Sequence, residues 1–194
     1  MAGVTKYGQL NTFKTALKQG GARPSLFEIS IVSSPEGVTI PGDHISKCFT
    51  SAIPGLTITP IEKQYFGRTI KMPGEMSFGT LSTTFYNSES YDIRTALESW
   101  TDIINDPVSN LGVSGNPTTF SGEVDLIHYG KDGTKGMTFR FIDCWPSSVD
   151  AIDLSYDTTG DMESFAVTWS YDYFTMKAGA IAGQSINGTQ EAIS

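Results

Sequence analysis

Apolar and polar residues alternate with a period of two through much of the chain, the pattern of half-buried β-strands. In the first such run Phe27, Ile29 and Ile31 alternate with Glu28 and Ser30, after an entry at Arg23-Pro24. Residues 34–42 carry Pro35, Gly37, Pro41 and Gly42 and predict a connecting loop. Ile45, Lys47 and Phe49 then alternate with Ser46, Cys48 and Thr50. Two further strands are expected at Gln64–Met72 and Phe78–Tyr86, separated by Met72-Pro73-Gly74-Glu75. A hairpin follows, Glu123–Tyr129 and Met137–Cys144, around an Asp132-Gly133 that suits a tight turn. Ile152, Leu154 and Tyr156 alternate with Asp153, Ser155 and Asp157. The strongest run is Phe165–Phe174. It puts Phe165, Val167, Trp169, Tyr171 and Tyr173 on one face and Ala166, Thr168, Ser170 and Asp172 on the other.

Two segments carry helical spacing instead. Thr12 suits the cap of a short helix with Phe13 and Leu17 four apart, stopped by Gly20-Gly21. The clearer helix takes Ser88 or Ser90 as its cap and Asp92 in its first turn. Ile93, Ala96, Leu97, Trp100 and Ile104 form one apolar stripe, and Asp106-Pro107 ends it. Trp100 on that stripe and Trp169 on the last strand are the expected core anchors. The segment Ala52–Ile61, AIPGLTITPI, fits neither pattern. Its prolines disfavour a core strand, yet it is too apolar for a solvated loop. We read Phe49–Gln64 as an extended loop or hairpin arm whose Phe49, Ile53, Pro54, Leu56, Ile58 and Ile61 meet another molecule; an arm folded back on its own domain is the alternative. Residues 12–174 read as one domain, with an N-terminal arm at 1–11 and an Ala-, Gly- and Ser-rich C-terminal extension at 175–194.

Composition narrows the function. Hydrophobic residues make up 39% and charged ones 18%, as in folded globular domains. The formal charge is -8, from 13 Lys+Arg against 21 Asp+Glu, and the cations are scattered. Gripping nucleic acid requires clustered cations against phosphate, so such binding is excluded, while an acidic wall past which DNA slides is not. Cys48 and Cys144 make no disulfide framework and read as buried thiols in a reducing compartment. Met1–Leu10 has no apolar core of the signal-peptide kind, and no run approaches the roughly 18 apolar residues of a membrane span. The expectation is folding in a cytoplasm with no membrane insertion.

Catalytic groups are sparse. His44 and His128 are the only histidines, each open to reading as a base or as a structural residue. The motifs of a nucleophile elbow, a Walker loop and a zinc helix are absent from the sequence. Asp150, Asp153, Asp157 and Asp161 match no ion-binding loop spacing. No enzyme, metal or cofactor is expected. What stands out is a set of small polar residues at alternate positions: Thr80, Ser82 and Thr84, then Thr168, Ser170 and Asp172. They lie opposite Leu81, Phe85, Val167 and Trp169, giving a wet face that is either ordinary surface or a smooth wall.

An ordered set of short stretches across residues 12–174 resembles the tail tube proteins of contractile-tailed bacteriophages. It comprises Ala22-Arg23-Pro24-Ser25-Leu26-Phe27; the arm with Lys47, Ala52, Ile53, Pro54 and Gly55; and Phe66-Gly67-Arg68 through Lys71. Tyr86-Asn87-Ser88-Glu89 leading into the helix of Arg94 and Trp100, Trp145-Pro146-Ser147, and Glu163-Ser164-Phe165 to Tyr171-Asp172-Tyr173 complete it. The resemblance implies a mainly β fold, an antiparallel β-sandwich or barrel with one packed α-helix, six copies of which close into a ring. Rings stack into a tube inside a contractile sheath. It implies a structural virion protein, a conduit for genome ejection assembled in the host cytoplasm. Its partners would be further copies of itself and the sheath, baseplate and tail-terminator proteins, with DNA passing non-specifically through a lumen faced by Thr80, Ser82, Thr84, Thr168, Ser170 and Asp172. Two other readings stand beside it: a tube subunit of a phage-derived or secretion-type contractile injection system, and a carbohydrate-binding β-sandwich stacking sugars on Trp145, Tyr171 and Tyr173.

Overall fold

The computed structural model describes residue 17 and residues 21–112, 115–157 and 160–178. The expected helix from Thr12, the arm at 1–11 and most of the 175–194 extension lie outside them. The described strands are β1 (Phe27–Ser33), β2 (Cys48–Ser51), β3 (Leu56–Tyr65), β4 (Arg68–Phe78), β5 (Leu81–Tyr86), β6 (Gly122–Tyr129), β7 (Lys135–Val149), β8 (Ser164–Ser170) and β9 (Tyr173–Ala178). A short helix α1 (His44–Lys47) precedes β2, and α2 (Asp92–Ile104) follows β5.

Every strand pairing is antiparallel. One sheet runs β1-β6-β7-β8-β5-β2, with β9 also paired to β7, while β3 and β4 pair only with each other. The long strand β7 belongs to two layers. Its first part pairs with β6 and β9, and its second part, from Trp145, pairs with β8. Strands that change layer through a bend or bulge make the corners of such sandwiches. The corner lies at Ile142–Asp143, where the register with β6 slips between Phe141 and Cys144 and Asp143 takes φ 52. The inward set on β7 accordingly shifts phase, from Phe139 and Phe141 to Cys144 and Pro146.

The chain that runs along β7 bends at the same height. β8 ends at Ser170, Asp172 N–H donates to Ile142 O at 3.2 Å, and β9 begins at Tyr173. This corrects the expected single strand Phe165–Phe174. Phe165, Val167 and Trp169 are buried as expected, but past the corner Phe174 points inward and Tyr173, opposite Ile142, is 47% exposed. One extra residue flips every later side chain to the other face. β9 also carries ordered strand through Ala178, past the expected boundary at residue 174.

Both layers and α2 supply one core of Ile29, Ile31, Leu81, Phe85, Ile93, Leu97, Trp100, Val124, Leu126, Phe141, Phe165, Val167 and Trp169. Trp100 and Trp169 are fully buried and meet edge to face at 5.8 Å between ring centroids. Each indole N–H is satisfied, Trp100 donating to Phe120 O at 2.6 Å and Trp169 to the buried Thr83 Oγ1 at 2.8 Å. The stripe Ile93, Ala96, Leu97 and Trp100 is buried, and Ile104 packs at the core's margin. The helix start differs from expectation. Tyr91 is the N-cap, at φ 54, and the Ser90 hydroxyl donates to the Asp92 carboxylate instead of capping the backbone. Glu163 fixes this start to β8, accepting from Asn87 Nδ2 at 3.0 Å and Tyr91 Oη at 3.1 Å.

Other expectations change as well. Residues 44–47 form α1 rather than strand, and the alternation there hides a helical turn seated on His44. The expected strand Gln64–Met72 spans the tip of a hairpin, because Phe66 and Gly67 form its two-residue turn at φ 44 and 79. Met72–Glu75 lies within β4, and the expected strand Phe78–Tyr86 breaks at Gly79-Thr80 between β4 and β5. The alternating residues Ile152–Tyr156 form loop, not strand, with Leu154 and Tyr156 exposed.

Replacing Trp100 by Ala should destabilise the fold by about 3–5 kcal/mol, as for large aromatics in packed cores. Gly122→Ala should also lower the melting temperature, because a Cβ there would sit 2.2 Å from Ser33 O and 2.9 Å from the Trp100 ring. Thermal unfolding of both variants beside the parent checks these; a Trp100→Ala protein that melts like the parent would contradict the packing described.

Candidate assembly interface

The groups that would make a catalytic centre are committed to structure. His44 is buried; its Nε2 accepts from Ile31 N–H at 2.9 Å and its Nδ1 donates to Pro41 O at 2.6 Å, so both ring nitrogens are used. His128 donates from Nε2 to Arg23 O at 2.9 Å. The thiols are held protonated by burial, Cys48 pushed up to about 12 and Cys144 raised further. Among the described residues no group of three or more His, Cys, Asp and Glu is placed to hold a metal ion. No helix among them is long and apolar enough to cross a membrane. A groove of about 370 Å³ lies beside β1 and β6, lined by Arg23, Pro24, Phe27, Ser51, Ile53 and Leu126 among others, and it gathers no acid–base pair. Tyr171 makes no free stacking platform, since its ring packs on Phe141 at 4.9 Å and its hydroxyl donates to Gly79 O.

Two surfaces remain. The first is the outward face of β2, β5 and β8. Directly opposed residues of antiparallel strands share a face, so the pairs Thr50↔Thr84, Ser82↔Thr168 and Ser148↔Thr168 collect hydroxyls on one side of this layer. Ser170 joins them through the period of two along β8. Ser82, Thr84, Thr168 and Ser170 are thereby brought together, with Leu81, Phe85, Val167 and Trp169 buried beneath. The other two expected members fall elsewhere: Thr80 precedes β5, and Asp172 sits in the bend after β8.

The second surface is the β3–β4 hairpin. It has a root at Gly55 and Gly79, where Gly79 N–H donates to Gly55 O at 2.9 Å, and Phe78 is tucked against Phe174 at 5.5 Å. Beyond this root it runs ten residues out along β3, roughly 33 Å at strand rise. No other element packs along it. It exposes Leu56, Ile58, Ile61, Tyr65, Ile70, Met72 and Met76 at 40–60%, and Phe66 at its tip at 91%. The expected arm, Phe49–Gln64, is therefore displaced along the chain. Phe49 lies on β2 and stacks on Tyr86 at 4.0 Å, and Pro54 is buried at the root. Ile53 lines the groove, and only Leu56, Ile58 and Ile61 stand on the arm itself. Tyr65, Phe66, Ile70, Met72 and Met76 are arm residues that the sequence reading missed. The signal for them was Gly67 as the second residue of a two-residue turn between apolar runs.

A phage tail tube protein family matches residues 22–177. The chain belongs to this family. It is 24% identical over 156 residues to the tail tube protein gp19 of Enterobacteria phage T4, covering 79% of this chain and 90% of that protein, and matches the phage T6 counterpart to the same extent. The fold is shared with the tube-terminating cap of an anti-feeding prophage, at 14% identity and a TM-score of 0.61 over 81% of this chain and 91% of the other. It is shared too with a chain of the sheath–tube complex of an extracellular contractile injection system, at 15% identity and a TM-score of 0.57 over 85% and 97%. The protein is thus a structural tail tube protein, not an enzyme.

The raised thiols set a sign for alkaline stability. Above the ordinary thiol value near 9 the unfolded chain releases protons that native Cys48 retains up to about 12, so stability present below pH 9 is lost as pH rises toward 12. Chemical denaturation between pH 8 and 11 should show this fall, and Cys48→Ser should flatten it. In the native protein at neutral pH neither thiol should react with iodoacetamide over the time in which the denatured chain reacts fully.

Proposed function

We propose that this protein is the repeating subunit of a hexameric ring and that rings stack into the tail tube through which phage DNA leaves the virion. The observation that carries the stacking is the β3–β4 arm. Eight large apolar side chains at least 40% exposed on one protruding ribbon are more than a solitary soluble domain leaves uncovered. The free edges of β1, β2 and β9 support ring closure by strand pairing, which would also remove them as aggregation sites. A contact between unlike surfaces, such as arm on body, does not close on itself and generates a filament. Sheath, baseplate and tail-terminator proteins complete the set of partners, in a virion assembled in the host cytoplasm. The shared fold with an extracellular contractile injection system supports a second reading, a tube subunit of such a device.

The hydroxyl face of Ser82, Thr84, Thr168 and Ser170 is our choice for the lumen wall, with Thr80 and Asp172 at its margins. It carries no cation to hold phosphate, and six chains at -8 would bring about -48 formal charges to a ring. Ser170→Lys would place one cation per subunit against passing DNA. Virions carrying it should eject DNA more slowly than the parent at low salt and recover at high salt, since such contacts are screened by ions. Equal ejection rates at both salt concentrations would remove this face from the lumen.

A further inference from the structure

The register of the arm carries a detail that its overall apolarity conceals. From the root outward β3 and β4 pair as Leu56↔Phe78, Thr57↔Ser77 and Ile58↔Met76. Beyond a slip they pair as Pro60↔Pro73, Ile61↔Met72, Glu62↔Lys71, Lys63↔Ile70, Gln64↔Thr69 and Tyr65↔Arg68. At the slip Thr59 faces both Gly74 and Glu75, a bulge on β4. Gly74 is required there, because a Cβ would lie 2.4 Å from Thr59 O and 2.8 Å from Ile61 Cγ1.

Opposed residues share a face and neighbours alternate. Near the root, one face therefore carries Leu56, Ile58, Met76 and Phe78, and the other carries Thr57 and Ser77, whose hydroxyl donates to Thr57 O. Beyond the bulge the pattern inverts. The face continuous with Leu56 and Ile58 now holds the Glu62–Lys71 ion pair at 3.1 Å and the Gln64–Thr69 hydrogen bond at 3.1 Å. The opposite face holds Ile61, Met72, Ile70 and Tyr65. The twist of a two-stranded ribbon turns its normal by on the order of 100° between the two patch centres, so after the inversion the patches open about a quarter-turn apart. One flat surface does not cover both.

We infer that each arm joins two different copies of this chain: the root patch seats on a neighbour in its own ring and the tip patch on a subunit of the adjacent ring. The inference rests on the tube reading and goes further by dividing the arm. Distance assigns the halves. The root patch lies within about 10 Å of Gly55, against the body's flank, whereas the tip patch begins roughly 15 Å out and ends about 30 Å out, past the radius of gyration of ~15 Å expected for a domain of this size.

Charge and area point to a second copy as the occupant. The arm holds Lys63, Arg68 and Lys71 against Glu62 and Glu75, a local excess of one positive charge on a chain of -8. Residues 141–176 of the body, by contrast, carry Asp143, Asp150, Asp153, Asp157, Asp161, Glu163 and Asp172 with no Lys or Arg. A basic arm tip and an acidic body attract each other across copies. The eight exposed side chains, at on the order of 100 Å² each, offer nearly the roughly 800 Å² that one partner contributes to a standard interface.

Two double variants test this in the full chain: Ile58→Glu with Met76→Glu at the root patch, and Ile70→Glu with Met72→Glu at the tip patch. Unchanged thermal unfolding by circular dichroism establishes that the body stays folded. Electron microscopy and native mass spectrometry read the species formed. The parent should form stacked rings, the tip variant single rings that do not stack, and the root variant free subunits. If the parent forms tubes and the two variants stop at the same species, or either still forms tubes, the division of the arm is wrong while the tube reading stands. A parent that forms neither rings nor tubes overturns both.

Discussion

Two neighbouring strands take an extra residue at the same height, and the single core follows from that coincidence. β7 inserts its residue at Ile142–Asp143, and the β8–β9 path beside it does the same at Tyr171–Asp172, with Asp172 N–H still bonded to Ile142 O. A bulge in one strand alone would leave its partner's apolar set facing solvent. Because both shift together, Phe141 and Phe174 on one side of the corner, and Cys144 and Trp169 on the other, all face inward. The fold-over then places Trp169 against Trp100, so α2 can close over both layers. Everything on the outside inherits its direction from this corner, including the hydroxyl face of β5 and β8.

The sequence was most legible where one period held without interruption. α2 could be read from Ile93, Ala96, Leu97 and Trp100, and β6 with the first part of β7 from an Asp-Gly turn between alternating runs, because local spacing alone fixes those elements. Legibility failed wherever an extra residue shifted the phase. Extrapolating Phe165–Trp169 through Tyr173 put that tyrosine on the wrong face, since nothing in the local pattern announces a corner dictated by the partner strand. The arm was misread for a related reason. Pro60 and Pro73 look like strand breakers, yet in a two-stranded ribbon each strand has a free edge where a missing N–H costs little. They sit opposite each other next to the bulge. The Phe66-Gly67 turn was then taken for the interior of a strand. Of the expected wall residues, Ser82, Thr84, Thr168 and Ser170 came together because their alternation lay within single strands. Thr80 and Asp172 fell just past strand ends.

The two exposed surfaces divide the chemistry of a conduit. A wall that must let a polyanion slide needs hydroxyls and negative charge, whereas a joint between subunits needs apolar area and some charge of opposite sign to the body. Here these occur on different elements, the wall on β5 and β8 and the joint on β3 and β4. The glycine-flanked root, with Phe78 inserted beside Phe174, is where the two meet.

That separation has a consequence for how such a protein changes over generations. Above its root the arm contributes no side chain to the core cluster, so substitutions between Thr57 and Ser77 escape the stability threshold that filters changes at Trp100, Phe141 or Trp169. Selection on the arm acts almost purely through which chains will accept it. Two tube proteins with one and the same body can thereby diverge into lineages that no longer co-assemble, each keeping its own subunits apart from those of a co-infecting relative.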